Sequence, residues 1–155
     1  MLLSFLELKV PPVIVVFIAA LAMYFSPNPI VYFSLDPMLA YYTTRVLFVV
    51  SALVIVLGIY CFRKANTTVD PVNPKNASQL VNFGIYKYTR NPMYLGFAIM
   101  LLAMAVKMQS LVAFLWLAVF IWYMSRFQIK PEERALTKVF GEAYSEYCQQ
   151  VRRWL

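Results

Sequence analysis

The sequence predicts an all-α integral membrane protein of about four transmembrane helices, closed by an amphipathic C-terminal helix on the cytoplasmic face. Three observations predict it. Of 155 residues, 62% are hydrophobic and only 14% charged, against roughly 25% charged in an average soluble domain. A body this small has too little interior to hide that much apolar surface from water. Four apolar stretches recur along the chain, and basic residues gather in only two of the segments outside them. The same composition excludes a disordered chain, which needs charge and few apolar side chains. The length fits one domain.

The first stretch runs from about Val10 to Phe25 and opens on Pro11-Pro12. Proline is tolerated there because the first helical turn has no use for its missing N–H. A cleaved signal peptide is the rival reading, since Ala20-Leu21-Ala22 is cleavage-like. Glu7 beside Lys9 denies it a positive n-region. The second stretch runs from about Val46 to Phe62, between Arg45 and Arg63-Lys64. Residues 26–44 ahead of it, with Pro27, Pro29 and Pro37 around Ile30-Val31-Tyr32-Phe33, read as an interfacial segment or a loop. The third stretch spans Asn91–Val106 and the fourth Met108–Ser125. They meet at Lys107, which predicts a tight helical hairpin. Each stretch falls a little short of the ~20 residues that cross a bilayer core. Flanking Tyr, Trp, Lys and Arg can snorkel and close the gap.

Charge sets the predicted topology. Residues 26–44 carry only Asp36. Residues 63–90 carry Arg63, Lys64, Lys75, Lys87 and Arg90 against Asp70, and residues 126–155 carry six basic and four acidic side chains. The positive-inside rule puts both on the cytoplasmic face, and the N-terminus with them. On that face the glycosylation-like Asn66-Thr67-Thr68 and Asn76-Ala77-Ser78 mean nothing. A net charge of +7 then speaks of orientation and anionic lipid. No basic run with interleaved aromatics suggests a nucleic-acid partner.

The chain has no His, which excludes His-based acid–base work, a Ser-His-Asp triad and the usual zinc sites. Cys61 and Cys148 are too few for a disulfide framework or a cysteine metal site and read as free thiols. No metal is expected.

Two stretches carry chemistry. Lys130-Pro131-Glu132-Glu133 opens the tail helix, with Leu136, Val139, Phe140, Ala143, Tyr144, Tyr147 and Val151 on one helical stripe. Arg134, Lys138, Glu142 and Glu146 lie off it. Glu132 and Glu133 precede Leu136 by four and three residues, at the N-terminal end of the inward stripe. They either complement the helix dipole or present a carboxylate to a polar cavity. The second stretch, Gly84-Ile85-Tyr86-Lys87-Tyr88-Thr89-Arg90-Asn91-Pro92-Met93-Tyr94-Leu95-Gly96, leads into the third apolar segment. Alone it reads equally well as an interfacial Tyr/Arg belt.

Together the two blocks, in this order and spacing and with a hairpin between them, resemble the isoprenylcysteine carboxyl methyltransferase and phospholipid methyltransferase superfamily. The resemblance covers about residues 66–153. It implies a membrane-embedded methyltransferase using S-adenosylmethionine (SAM), with the cofactor at the cytoplasmic surface and a lipophilic, prenylated or lipid acceptor entering from the bilayer. Residues 1–64 would supply two spans, and 65–155 the cofactor loop, hairpin and tail helix of a single domain. Carried over by motif, Ser78, Gln79, Leu80 and Val81 would line the pocket. Tyr86 would pack on the cofactor, and Asn91, Pro92, Met93 and Tyr94 would surround it. Glu132 would hold a cofactor hydroxyl or ammonium, supported by Glu133. Arg90 would pair with the cofactor carboxylate or brace the loop, and Arg90 and Glu133 are the catalytic candidates.

Two departures from the family pattern matter. The family often has His before the motif proline, where this chain has Asn91; an amide hydrogen-bonds but does not titrate. Eukaryotic isoprenylcysteine enzymes tend to place Arg just before the paired glutamates, where the nearest match is Gln128 between Arg126 and Lys130. The acceptor, whether carboxylate, thiol or amine, stays open. Two other classes stay open as well. Sterol reductases using NADPH have a tail like Phe140-Gly141, Tyr147-Cys148 and Val151, and a non-enzymatic scaffold or lipid-binding module could keep the same fold.

Overall fold

The computed structural model describes residues 7–26, 34–65 and 79–155. Among them the regular elements are helical. Helix α1 covers Pro12–Phe25, α2 Pro37–Lys64, α3 Pro92–Met108, α4 Leu111–Tyr123, α5 Lys130–Phe140 and α6 Glu142–Gln150. A 3-10 turn, Gly84–Lys87, precedes α3, and a π turn, Met124–Ile129, joins α4 to α5.

Two helices are long and apolar enough to cross a membrane: α2, with 28 residues, and the continuous helix Leu111–Phe140, with 30. Helices α1 and α3 are apolar but shorter, at 14 and 17 residues. Only 17% of the most apolar window of α2 is buried. The core helix of a soluble protein would be mostly buried. Here Val46, Val49, Leu53 and Val56 face outward from α2, as do Val13, Phe17 and Ile18 from α1. An apolar surface this extensive suits lipid.

Helix α2 starts at Pro37, well before the predicted Val46. Asp36 accounts for the early start: its Oδ1 accepts the N–H groups of Met38 and Leu39, both at 3.0 Å, with Pro37 in the first turn. Residues 37–44 are therefore helix and not loop. Residues 27–33, with Ile30–Phe33, lie outside the described residues, as do the two glycosylation-like sites.

The tightest packing joins α2 to α3 through small residues. A Cβ on Gly96 would run into Ile55 Cγ1 and sit 3.1 Å from the Ser51 carbonyl, so glycine is required by the close approach. Ser51 Oγ donates to the Gly96 carbonyl at 2.8 Å. Small residues allow this in lipid, where backbone approach and interhelical hydrogen bonds replace hydrophobic drive. Helices α3 and α4 form the predicted hairpin, turning at Gln109 (φ 49°) and Ser110. The main core, including Met23, Leu101, Phe120, Met124 and Ile129, draws on α1, α3, α4 and the π turn.

The tail departs from the prediction in two ways. The chain does not restart a helix at Lys130; the fourth helix continues through the π turn. Pro131 explains the widening. In an α-helix its ring would clash with the carbonyl four residues back, and it has no N–H to donate there. That carbonyl belongs to Phe127. In the π turn the Lys130 N–H instead reaches the Ser125 carbonyl, five residues back. The tail is also broken, at Gly141 (φ 56°), into α5 and α6. The break rotates part of the predicted stripe outward: Val139 is 42% exposed and Ala143 is exposed, while Leu136, Phe140, Tyr144, Tyr147 and Val151 pack together.

Candidate active site

Two clusters form where the tail meets the start of α3. In the first, the Tyr94 hydroxyl donates to Glu132 Oε1 at 2.6 Å. Gln128 Nε2 donates to the same oxygen at 2.5 Å and lies 3.5 Å from the Tyr94 hydroxyl. Tyr94 and Gln128 are buried, at 6% and 3% exposure. The second carboxylate oxygen of Glu132, Oε2, accepts no hydrogen bond among the described residues. Gln128, buried in the π turn, precedes Glu132 by four residues, the spacing at which side chains meet on one helix face.

In the second cluster Glu133 binds two arginines. Arg153 grips it with Nε at 2.9 Å and Nη2 at 2.7 Å, and Arg90 Nη2 lies 3.0 Å away. Arg90 Nη1 also contacts Cys148 Sγ, and Arg90 Nε is buried without a partner among the described residues. Adjacent residues on a helix diverge by about 100°, so the paired glutamates serve different clusters.

The C-terminal residues close over the motif. The Arg90 N–H donates to the Arg152 carbonyl at 3.0 Å, and Asn91 Nδ2 to the Arg153 carbonyl at 2.9 Å. Trp154 Nε1 donates to Ser125 Oγ at 3.1 Å, and its ring packs on the main core. Asn91 thus binds the tail, in a non-helical conformation ahead of Pro92, which opens α3. Pro92 and Met93 pack where α3 crosses Gly58 of α2.

Gly84 takes φ 60° and approaches Cys61 Sγ so closely that a Cβ would sit 2.7 Å from it. This seats Tyr86 in a pocket of Cys61, Ala65 and Val81, edge-on to Phe62 at 5.3 Å. The Tyr147 hydroxyl donates to the Tyr86 carbonyl at 2.7 Å, fastening α6 to the motif. Burial pushes the phenols of Tyr86 and Tyr147 well above their ordinary range, with Arg90 opposing this at Tyr147.

Of the predicted pocket lining, Gln79 is exposed, Leu80 packs on the Tyr144–Tyr147 cluster and Val81 on Tyr86; Ser78 lies outside the described residues. An open hollow of about 430 Å³ lies beside α6, lined by Asn82, Lys87, Glu146, Tyr147, Gln150 and Val151. It includes neither Tyr94 nor Glu132 and is separate from the first cluster. Sequence reasoning missed Arg153 entirely. It follows the last helix, where no periodicity marks a direction. Among the described residues no three His, Cys, Asp or Glu gather as a metal site.

With Tyr94 and Glu132 in contact, the two sequence blocks meet in one cluster, and comparison with known proteins names the family. A family model of phospholipid methyltransferases matches residues 39–143. The chain belongs to the phospholipid methyltransferase family. An uncharacterized protein of Haemophilus influenzae is 41% identical over 63 residues, which is 41% of this chain and all of that protein. Protein-S-isoprenylcysteine O-methyltransferase of Schizosaccharomyces pombe is 35% identical over 72 residues, 46% of this chain and 30% of that enzyme. The Arabidopsis thaliana enzyme B is 34% identical over 73 residues, 47% of this chain and 37% of that enzyme. The aligned region thus spans about a third of these enzymes' own length. No solved structure matches.

Proposed function

We propose that the chain is a SAM-dependent membrane methyltransferase acting on a lipid-like or small apolar acceptor. Family membership and isoprenylcysteine methyltransferase relatives support methyl transfer over the reductase and scaffold alternatives. The observation that carries the site is the 2.6 Å bond between Tyr94 and Glu132. It joins residues 38 positions apart that sit in separate motif blocks.

The donor set fits the cofactor. Glu132 Oε2 is left to accept from a ribose hydroxyl or an ammonium, while Tyr94 and Gln128 hold Oε1. SAM, when bound, supplies an activated methyl on a sulfonium leaving group. The chain's own work is then to bind, align and exclude water. Tyr94 holds the Glu132 carboxylate in one orientation. Arg90, engaged by Glu133 and the Arg152 carbonyl, acts as the brace of the motif loop. The Arg153–Glu133 bridge and Trp154 hold the tail over that loop, which limits water access.

In this reading the protein is one domain of four spans. The shorter α1 and α3 cross with the help of flanking polar and aromatic residues. The termini and the site face the cytoplasm, as the basic loop and tail require. Residues 1–64 supply the first two spans and 65–155 the cofactor loop, hairpin and tail.

Calorimetry in lipid nanodiscs tests the reading. S-adenosylhomocysteine should bind the wild type, and Glu132→Gln should weaken it by roughly tenfold, about the worth of one charge-assisted hydrogen bond. Tyr94→Phe should weaken it less. Absence of wild-type binding, or equal binding by Glu132→Gln, refutes the site.

A further inference from the structure

The geometry points to a positioning clamp ahead of α1: Glu7 and Leu8 hold the π turn in the register that sets Gln128 and Glu132 against Tyr94. The inference rests on the site reading above. Three observations carry it. Glu7 bridges two arginines, Arg126 within the π turn through Oε1 at 2.9 Å and Arg134 of α5 through Oε2. The Leu8 N–H donates to the Phe127 carbonyl at 3.1 Å. That carbonyl is the one Pro131 leaves without an α-helical partner, so Leu8 supplies from outside the donor the helix lacks. Leu8 reaches it at φ 57°, a left-handed conformation that residues with side chains rarely adopt. Such a conformation persists when the surroundings hold it.

An ordinary surface ion pair would carry little weight. This carboxylate differs: its side chain is only 18% exposed, it binds two guanidinium groups, and a backbone hydrogen bond lies next to it in sequence. Arg126 precedes Gln128 by two residues, and Arg134 follows Glu132 by two. The two anchor points therefore bracket both polar residues of the first cluster. A π turn is rare and locally irregular, so ties from outside it, at Arg126 and Phe127 within the turn and at Arg134 beyond it, set where the side chains that follow point. Glu7 and Leu8 touch neither Tyr94 nor Glu132 and act through the turn.

The test uses the full chain in lipid nanodiscs, as wild type, Glu7→Gln and Glu7→Asp. Amide hydrogen exchange is read over residues 124–133, alongside S-adenosylhomocysteine affinity and melting temperature. Glu7→Gln should speed exchange in that stretch by about fivefold or more while α2 and α3 stay as protected as in wild type. Its affinity should fall about three- to tenfold, and Glu7→Asp should recover most of both. Wild-type exchange over 124–133 in Glu7→Gln overturns the clamp. So does faster exchange spread evenly through α2 and α3, which would mark general destabilisation. If the wild type binds no nucleoside, the cofactor reading fails separately, and the exchange measurement still decides whether the clamp exists.

Discussion

Glu133→Gln isolates the contribution of the arginine cluster. The substitution keeps the shape of the side chain and removes its charge. It strands Arg90, whose side chain is 12% exposed and whose Nε already lacks a partner among the described residues. Arg153, at 34% exposure, is partly screened by solvent and loses less. Breaking a buried ion pair from one side costs about 3–5 kcal/mol, and an exposed one about 0–1 kcal/mol. The mixed burial here places the loss near 3 kcal/mol. At about 2–4 °C per kcal/mol for a chain of this size, the melting temperature should fall by roughly 6–12 °C. Tail release should accompany the loss, because the same bridge anchors residues 151–155. Trp154 fluorescence and carboxypeptidase digestion of the C-terminus report that release directly. A fall of less than about 1 °C, with the tail still protected, would refute the reasoning that Glu133 holds the tail. Arg153→Gln in the same background should add little, since both changes remove one interaction.

Two further outcomes follow from the packing and the buried phenols. Gly96→Val drives a side chain into Ile55 and the Ser51 carbonyl; overpacking of this kind costs about 1–3 kcal/mol, and a thermal melt equal to wild type would show that α2 and α3 can separate freely. Tyr86 and Tyr147 have folded values raised by burial, so the unfolded chain releases their protons first. Stability should therefore be unaffected by these groups below about pH 10 and should fall as pH rises beyond it. Absorbance titration should show them ionising only with unfolding, and Tyr147→Phe should flatten the alkaline loss; early, reversible ionisation would contradict their burial.

The helical segments were legible because each rests on local rules. Runs of apolar residues between charges located α1, α3 and α4, and Lys107 between two such runs required a hairpin. The start of α2 is less legible, because Asp36 and Pro37 suit a loop as well as they suit a cap and first turn. The tail is less legible still, for a different reason. Pro131 looks like the start of a helix, and only the preceding helix, already continuous to Tyr123, makes it an interior proline that forces a π turn.

The site divides the same way. The residues of both blocks could be named in advance, since a motif specifies residue types at fixed spacing. Their partners could not. Glu132 and Glu133 are neighbours in sequence, yet one meets Tyr94 and Gln128 and the other Arg90 and Arg153. Composition, apolar periodicity and charge placement determined that this is a helical membrane chain with a polar cluster at one end. Tertiary structure alone decided which carboxylate faces which partner, and that Glu7 meets Arg126 and Arg134 while Arg153 meets Glu133. Hydrophobic patterning acts within a few residues, whereas hydrogen bonds and ion pairs join whatever the packed helices bring within about 3 Å.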